Sequence, residues 1–240
     1  MCYSKFKNVF SCVTLSITFA ACGITPPTNN TTNAPDTSVC VEPSCETTED
    51  ETDNTPTVIT DWSGDLSIDM DSDSELLTNI QTISGNLQIG PSENMSLPAL
   101  QSISGSLNIS LNDAILTLSA PNLKTIGQNL ALNLNNRLKQ IDLPALQTIG
   151  MELRIAQNKK LKTINIGALT STNLSCSISQ NSALESVDLT TLASVGLNFE
   201  MIDNTVFTTC EAQSIADNLT TLGGTITISG NDNVASCTEN

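Results

Sequence analysis

Eight cysteines, a run of alternating aspartates, a cluster of cations and no histidine set the chemistry open to this 240-residue chain. Without an imidazole the usual general base is missing, and nucleophile arrangements built on Ser-His or Cys-His pairs are closed to it. Zinc is poorly served, because the cysteines show no paired C-x-x-C spacing and no histidine is there to complete a site. Asp69, Asp71 and Asp73 alternate with small polar or apolar residues up to Glu75, and carboxylates so spaced could gather around a calcium ion. An EF-hand type of loop needs Gly at its sixth position and a bidentate acid at its twelfth. Ser74 and Ile80 stand there instead, and the competing reading is a solvated polar cap that blocks end-to-end stacking. The expectation is a chain with no catalytic residues and no cofactor.

Seven of the nine Lys and Arg residues fall between Lys124 and Lys162. Arg137 and Lys160 are separated by 23 residues, as are Lys139 and Lys162. With Arg154 and Lys159 these form a candidate patch for an anion or a partner, opposed within the interval only by Asp142 and Glu152. On a chain with 25 carboxylates, such a patch steers an anionic partner. The competing reading is a solubilising face, partly paired to Glu185, which sits one period after Lys162. Strong acidity and the lack of a Gly-rich phosphate loop argue against nucleic acid.

The period that aligns these cations belongs to the whole chain from Ile103 to Leu192. Thr125-Ile126-Gly127 leads to Leu130-x-Leu132, Asn135, Leu138, Ile141 and Leu143-Pro144-Ala145-Leu146, and the same sentence restarts at Thr148-Ile149-Gly150. A fixed period of this length with short alternating apolar pairs predicts a solenoid, each coil burying its apolar face against its neighbours. The pairs Leu87/Ile89, Leu107/Ile109, Leu130/Leu132, Leu153/Ile155, Cys176/Ile178, Phe199/Met201 and Ile226/Ile228 should point inward. A second set, Leu138/Ile141/Leu143, recurs as Leu161/Ile164/Ile166 and Leu184/Val187/Leu189, so three short strands per coil are expected. Pro98, Pro121 and Pro144 mark one corner. Gly85, Gly105, Gly127, Gly150, Gly196 and Gly223 mark another, where positive φ is expected.

With 39% apolar but only 3% aromatic residues, the core should be built of aliphatic layers. Asn112, Asn135, Asn158, Asn181, Asn204 and Asn231 form a column that reads as a structural ladder satisfying backbone groups, since a buried unpaired amide costs about 1 to 3 kcal/mol. The outward strand face, Gln88, Asn108, Ala131, Arg154, Ser177, Glu200 and Thr227, offers no carboxylate pair of the sort a polysaccharide-cleaving β-helix enzyme uses. Trp62 is expected to cover the open end of the core. Thr208 and Glu211 have capping-box spacing ahead of Ala212, Ile215, Ala216 and Leu219, which predicts a short helix near the C-terminal cap.

The stretch Ala120-Pro121-Asn122-Leu123-Lys124-Thr125-Ile126-Gly127, continued by Leu130-x-Leu132-x-x-Asn135 and Leu143-Pro144-Ala145-Leu146, resembles the receptor L-domain family. That family includes ligand-binding modules of insulin- and epidermal-growth-factor-type receptors, fungal cell-wall glycoproteins and bacterial surface lipoproteins. The resemblance covers about Asp61 to the C-terminus. It implies a mostly β, right-handed, parallel β-helix-like solenoid, here of about seven to eight coils of 20 to 27 residues. It implies less about function, because members of one fold bind different things.

The expected organisation is a signal peptide over residues 1–22, an acidic Thr/Pro-rich tether over 23–58 and the solenoid over 59–240. Lys5 and Lys7 precede an apolar run from Val9 to Ala21 that is too short to span a bilayer. Phe19-Ala20-Ala21-Cys22 resembles a bacterial lipobox, with lipidation of Cys22 as the implied outcome and ordinary signal-peptidase cleavage near Ala20 as the alternative. Gly23 resembles the outer-membrane sorting class. The tether has almost no large apolar side chain, and as a random coil it would span roughly 30 to 35 Å. In an oxidising compartment Cys210 is expected to pair with Cys237, contributing roughly 3.5 kcal/mol in the chain-entropy picture, and Cys40 with Cys45. Cys176 takes an inward strand position as a buried free thiol. The function expected is a lipid-anchored, non-catalytic binding or adhesion module for a protein or a glycan. A passive structural envelope component is the alternative, and oligomeric state stays open.

Overall fold

Apolar residues at every second position bury one face of a short strand, and strands of two to four residues hold only if the coils above and below supply their backbone partners. The computed structural model describes residues 59–68 and 76–233, and in them the chain winds as a parallel β-solenoid with three sheets. The first sheet stacks eight two-residue strands, from Asp61–Trp62 to Thr221–Leu222. The second stacks eight longer ones, from Leu66–Ile68 to Ile226–Ser229. The third has five, from Asn94–Ser96 to Ser186–Asp188.

Register follows the sequence period: Leu130 pairs with Leu107 on one side and Leu153 on the other, and Leu132 with Ile109 and Ile155. A slip of one residue would turn every apolar side chain outward, so the alternation itself fixes the alignment. The core is therefore a set of columns. Leu87, Leu107, Leu130, Leu153, Cys176 and Phe199 are all fully buried. The columns loosen at the C-terminal end, where Ile226 is 44% exposed and Ile228 is half-buried. These two were expected inside like the rest. No described coil follows theirs to cover them. Trp62 is half-buried against the core near its other end, with its indole N–H donating to the Asp65 carbonyl at 3.2 Å.

The glycine corner corrects the expectation of positive φ. Of the six glycines in that column none has positive φ; the described glycines that do are Gly64 and Gly230. What requires glycine is close approach. A Cβ on Gly150 would be driven into the carbonyl of Gly127, and one on Gly223 into that of Gly196. The left-handed conformation belongs to a different column, Leu111, Leu134, Gln157, Gln180 and Asp203, with φ between 55° and 60°. Each stands immediately before a ladder asparagine and makes the bend that leads out of the second sheet. Side chains there forgo about 1 to 2 kcal/mol relative to a right-handed geometry.

The helix runs Thr209–Asp217, and its N-terminus is closed by a capping box. The Thr208 hydroxyl accepts from the Glu211 N–H at 3.1 Å, and a Glu211 carboxylate oxygen accepts from the Thr208 N–H at 3.4 Å. Ala212, Ile215 and Ala216 are its buried face.

Candidate binding surface at one corner of the solenoid

The asparagine column inside the stack is consumed by the fold. The Oδ1 of Asn158 accepts from the backbone N–H of Asn135 at 2.9 Å, while its Nδ2 donates to the Leu132 carbonyl at 2.9 Å. Asn181 and Asn204 repeat the same pair of bonds one and two coils further on. Asn112 and Asn231 end the column, at 1% and 6% exposure. Ser92, also buried, takes the same place in the coil before Asn112. With both amide ends bonded to backbone, this column presents nothing to a ligand.

The buried thiol of Cys176 is equally withdrawn. Burial, with the charge of Glu200 adding to it, pushes its pKa up to about 12. It stays protonated at neutral pH, and a protonated buried thiol is neither a nucleophile nor a metal ligand. Among the described residues no group of three or more His, Cys, Asp or Glu side chains could hold a metal ion. Asp69, Asp71 and Asp73 lie outside the described residues, as do Cys22, Cys40, Cys45 and Cys237. Cys210 is disulfide-bonded, and its partner lies outside the described residues too.

The cations divide between faces. Lys159 and Lys160 occupy the turn between the second-sheet strand Leu153–Ala156 and the third-sheet strand Thr163–Asn165. One coil earlier the same turn carries Arg137. Lys139 stands directly before the strand Gln140–Asp142, and its carbonyl accepts from the N–H of Lys162 at 2.9 Å, so these two are stacked neighbours. Lys162 is committed: its ammonium lies 2.7 Å from a Glu185 oxygen, with both side chains about half exposed. That exposed pair is worth little to stability, but it neutralises one end of the row. Among the described residues no ion pair engages Arg137, Lys139, Lys159 or Lys160.

Arg154 does not belong with them. It stands on the outer face of the second sheet, between Ala131 and Ser177 on the neighbouring strands. Lys124 precedes the first-sheet strand Thr125–Ile126, at a different corner.

Beside the row of cations lies an open groove of about 430 Å³, lined by Leu134, Gln157, Lys159, Gln180, Ser182 and Asp203. The left-handed bend creates it, because it throws the side chains at 134, 157, 180 and 203 outward on successive coils. Gln157 donates from Nε2 to the Gln180 Oε1 at 2.9 Å, a polar rail across two coils. Asn133 and Asn136, on either side of Leu134, each keep a buried side-chain oxygen without a hydrogen-bond partner among the described residues. Sequence reasoning found the cations but missed the groove. The available signal was the column one residue before the asparagines, where Leu, Gln and Asp hold a place that glycine fills only at Gly230.

Residues 60–166 match the family described as Receptor L domain. No curated protein and no solved structure matches the chain.

Proposed function

We propose that this receptor-L-domain-like solenoid is a non-catalytic binding module, carried by an exported, lipid-anchored envelope protein. The observation that carries the reading is how the polar groups are distributed. The ladder amides and the thiol inside the stack are spent on structure or kept protonated, while an amide rail and cations with no ion pair among the described residues are displayed on one corner of the frame. Groups aimed outward from a stiff scaffold lose little conformational freedom when they meet a partner. The receptor L-domain match over residues 60–166 supports the same reading.

The anchor rests on sequence. Cys22 closes an apolar run behind Lys5 and Lys7, and the polar stretch from residue 23 to 58 would hold the solenoid clear of a lipid headgroup layer. Cys210–Cys237 and Cys40–Cys45 are the disulfides this export route would form. The bacterial outer membrane is the compartment that Gly23 favours.

Mass spectrometry of the mature N-terminus is expected to show Cys22 with acyl groups, and an unmodified N-terminus elsewhere would remove the anchor from the reading. Purified domain screened by calorimetry against envelope glycan and surface-protein fractions is expected to bind at least one of them saturably. Uniform absence of binding would count against a binding module and favour a passive spacer.

A further inference from the structure

We propose that the corner between the second and third sheets binds a linear acidic polysaccharide, seated on the Gln157–Gln180 rail with its anionic groups against Arg137, Lys139, Lys159 and Lys160. The proposal rests on the reading of the solenoid as a binding module and names the site and the ligand class.

Charge fixes the sign of the ligand. Four cations without ion-pair partners among the described residues lie on two adjacent coils of a chain whose carboxylates outnumber its cations by 25 to 9. Left bare, like charges so close repel one another, and an anionic ligand removes that repulsion. Carboxylates mark the borders: Asp113 on the preceding coil, held by Asn136 at 3.0 Å, and Glu185 and Asp203 on the following ones. The positive strip is therefore two coils wide, roughly 10 Å at about 4.8 Å per strand.

The remaining lining selects a glycan over an acidic peptide. Gln157, Gln180 and Ser182 offer donors and acceptors side by side, as vicinal hydroxyls require. Protein interfaces lean on aromatic anchors in desolvated pockets, and this groove has none; Leu134, 37% exposed, is its one large apolar side chain.

The test uses the full mature chain and four probes: polygalacturonate, neutral dextran, poly-glutamate and a surface-protein fraction. Polygalacturonate is expected to bind saturably and to weaken steeply between low and physiological salt. The triple variant Arg137→Glu/Lys159→Glu/Lys160→Glu should lose at least tenfold in affinity, and Lys124→Glu, at another corner, less than twofold. Gln157→Ala/Gln180→Ala should lose several-fold with the salt dependence kept. If the triple variant does not fold by circular dichroism, Lys159→Gln/Lys160→Gln replaces it, with a loss of at least threefold expected. Poly-glutamate or dextran binding as tightly as polygalacturonate, no loss in the charge variants, or no polygalacturonate binding would each overturn the proposal. Saturable binding of the surface-protein fraction in that last case would leave the binding-module reading standing, whereas silence from all four probes would remove both.

Discussion

At the level of single residues, this molecule separates two demands that glycine usually meets together. Gly150 is needed because the coil beneath leaves no room for a Cβ, although its φ is ordinary. Gln157 has room for a side chain but holds a φ of 60°. The two positions should respond oppositely to exchange. Gly150→Ala is expected to destabilise by about 2 kcal/mol or more, since the clash is with backbone of the preceding coil and cannot be relieved by a rotamer change. Gln157→Gly gains about 1 to 2 kcal/mol from relief of the left-handed geometry and loses about 0.5 to 1 to chain entropy, for a net change between zero and a gain of about 1.5. Urea unfolding of both variants measures this; the reverse order would mean that φ, not contact, selects glycine in this stack.

Among the elements, the helix Thr209–Asp217 departs from the coil pattern, and its start is written locally. Thr208 and Glu211 satisfy each other's backbone N–H groups, so the helix begins where the third strand of a coil would have formed. Removing the box with Thr208→Ala should cost about 1 kcal/mol. The loss is expected to stay local: faster hydrogen exchange in residues 209–217, with the strand Leu153–Ala156 unchanged. Acceleration throughout the solenoid would instead show that the helix holds the stack together rather than closing its end. Among the described residues the third sheet has five strands where the other two have eight, and the helix takes the place of one of the three missing, in the coil of Phe199–Ile202.

At the largest scale the described solenoid behaves as a one-dimensional stack, in which stability comes from each coil and its contacts with the next. Leu153→Ala, in the middle of a fully buried column, should cost about 2 to 5 kcal/mol. Hydrogen exchange should rise first in the flanking strands Leu130–Asn133 and Cys176–Ser179. Ile226→Ala, at an end position already 44% exposed, should cost less than about 1 kcal/mol. Equal costs at the two sites would show that the end of the column is covered as well as its middle. The repeat, the three strands per coil, the inward columns and the capping box were legible in the chain, because period-2 alternation and a constant coil length leave a single register that buries Leu107, Leu130 and Leu153 together. The inference of positive φ at Gly127 and Gly150 failed because sequence does not distinguish a residue needed for its dihedral from one needed for its missing side chain. Only the stacked structure decided which cations keep company. Lys159 and Lys160 lie on a turn that coil winding places beside Arg137, while Arg154, nearer to Lys159 in sequence than Arg137 is, points from the face of another sheet. The groove beside them was likewise decided in three dimensions, since it exists only where a left-handed bend recurs on coil after coil, and no single coil carries it.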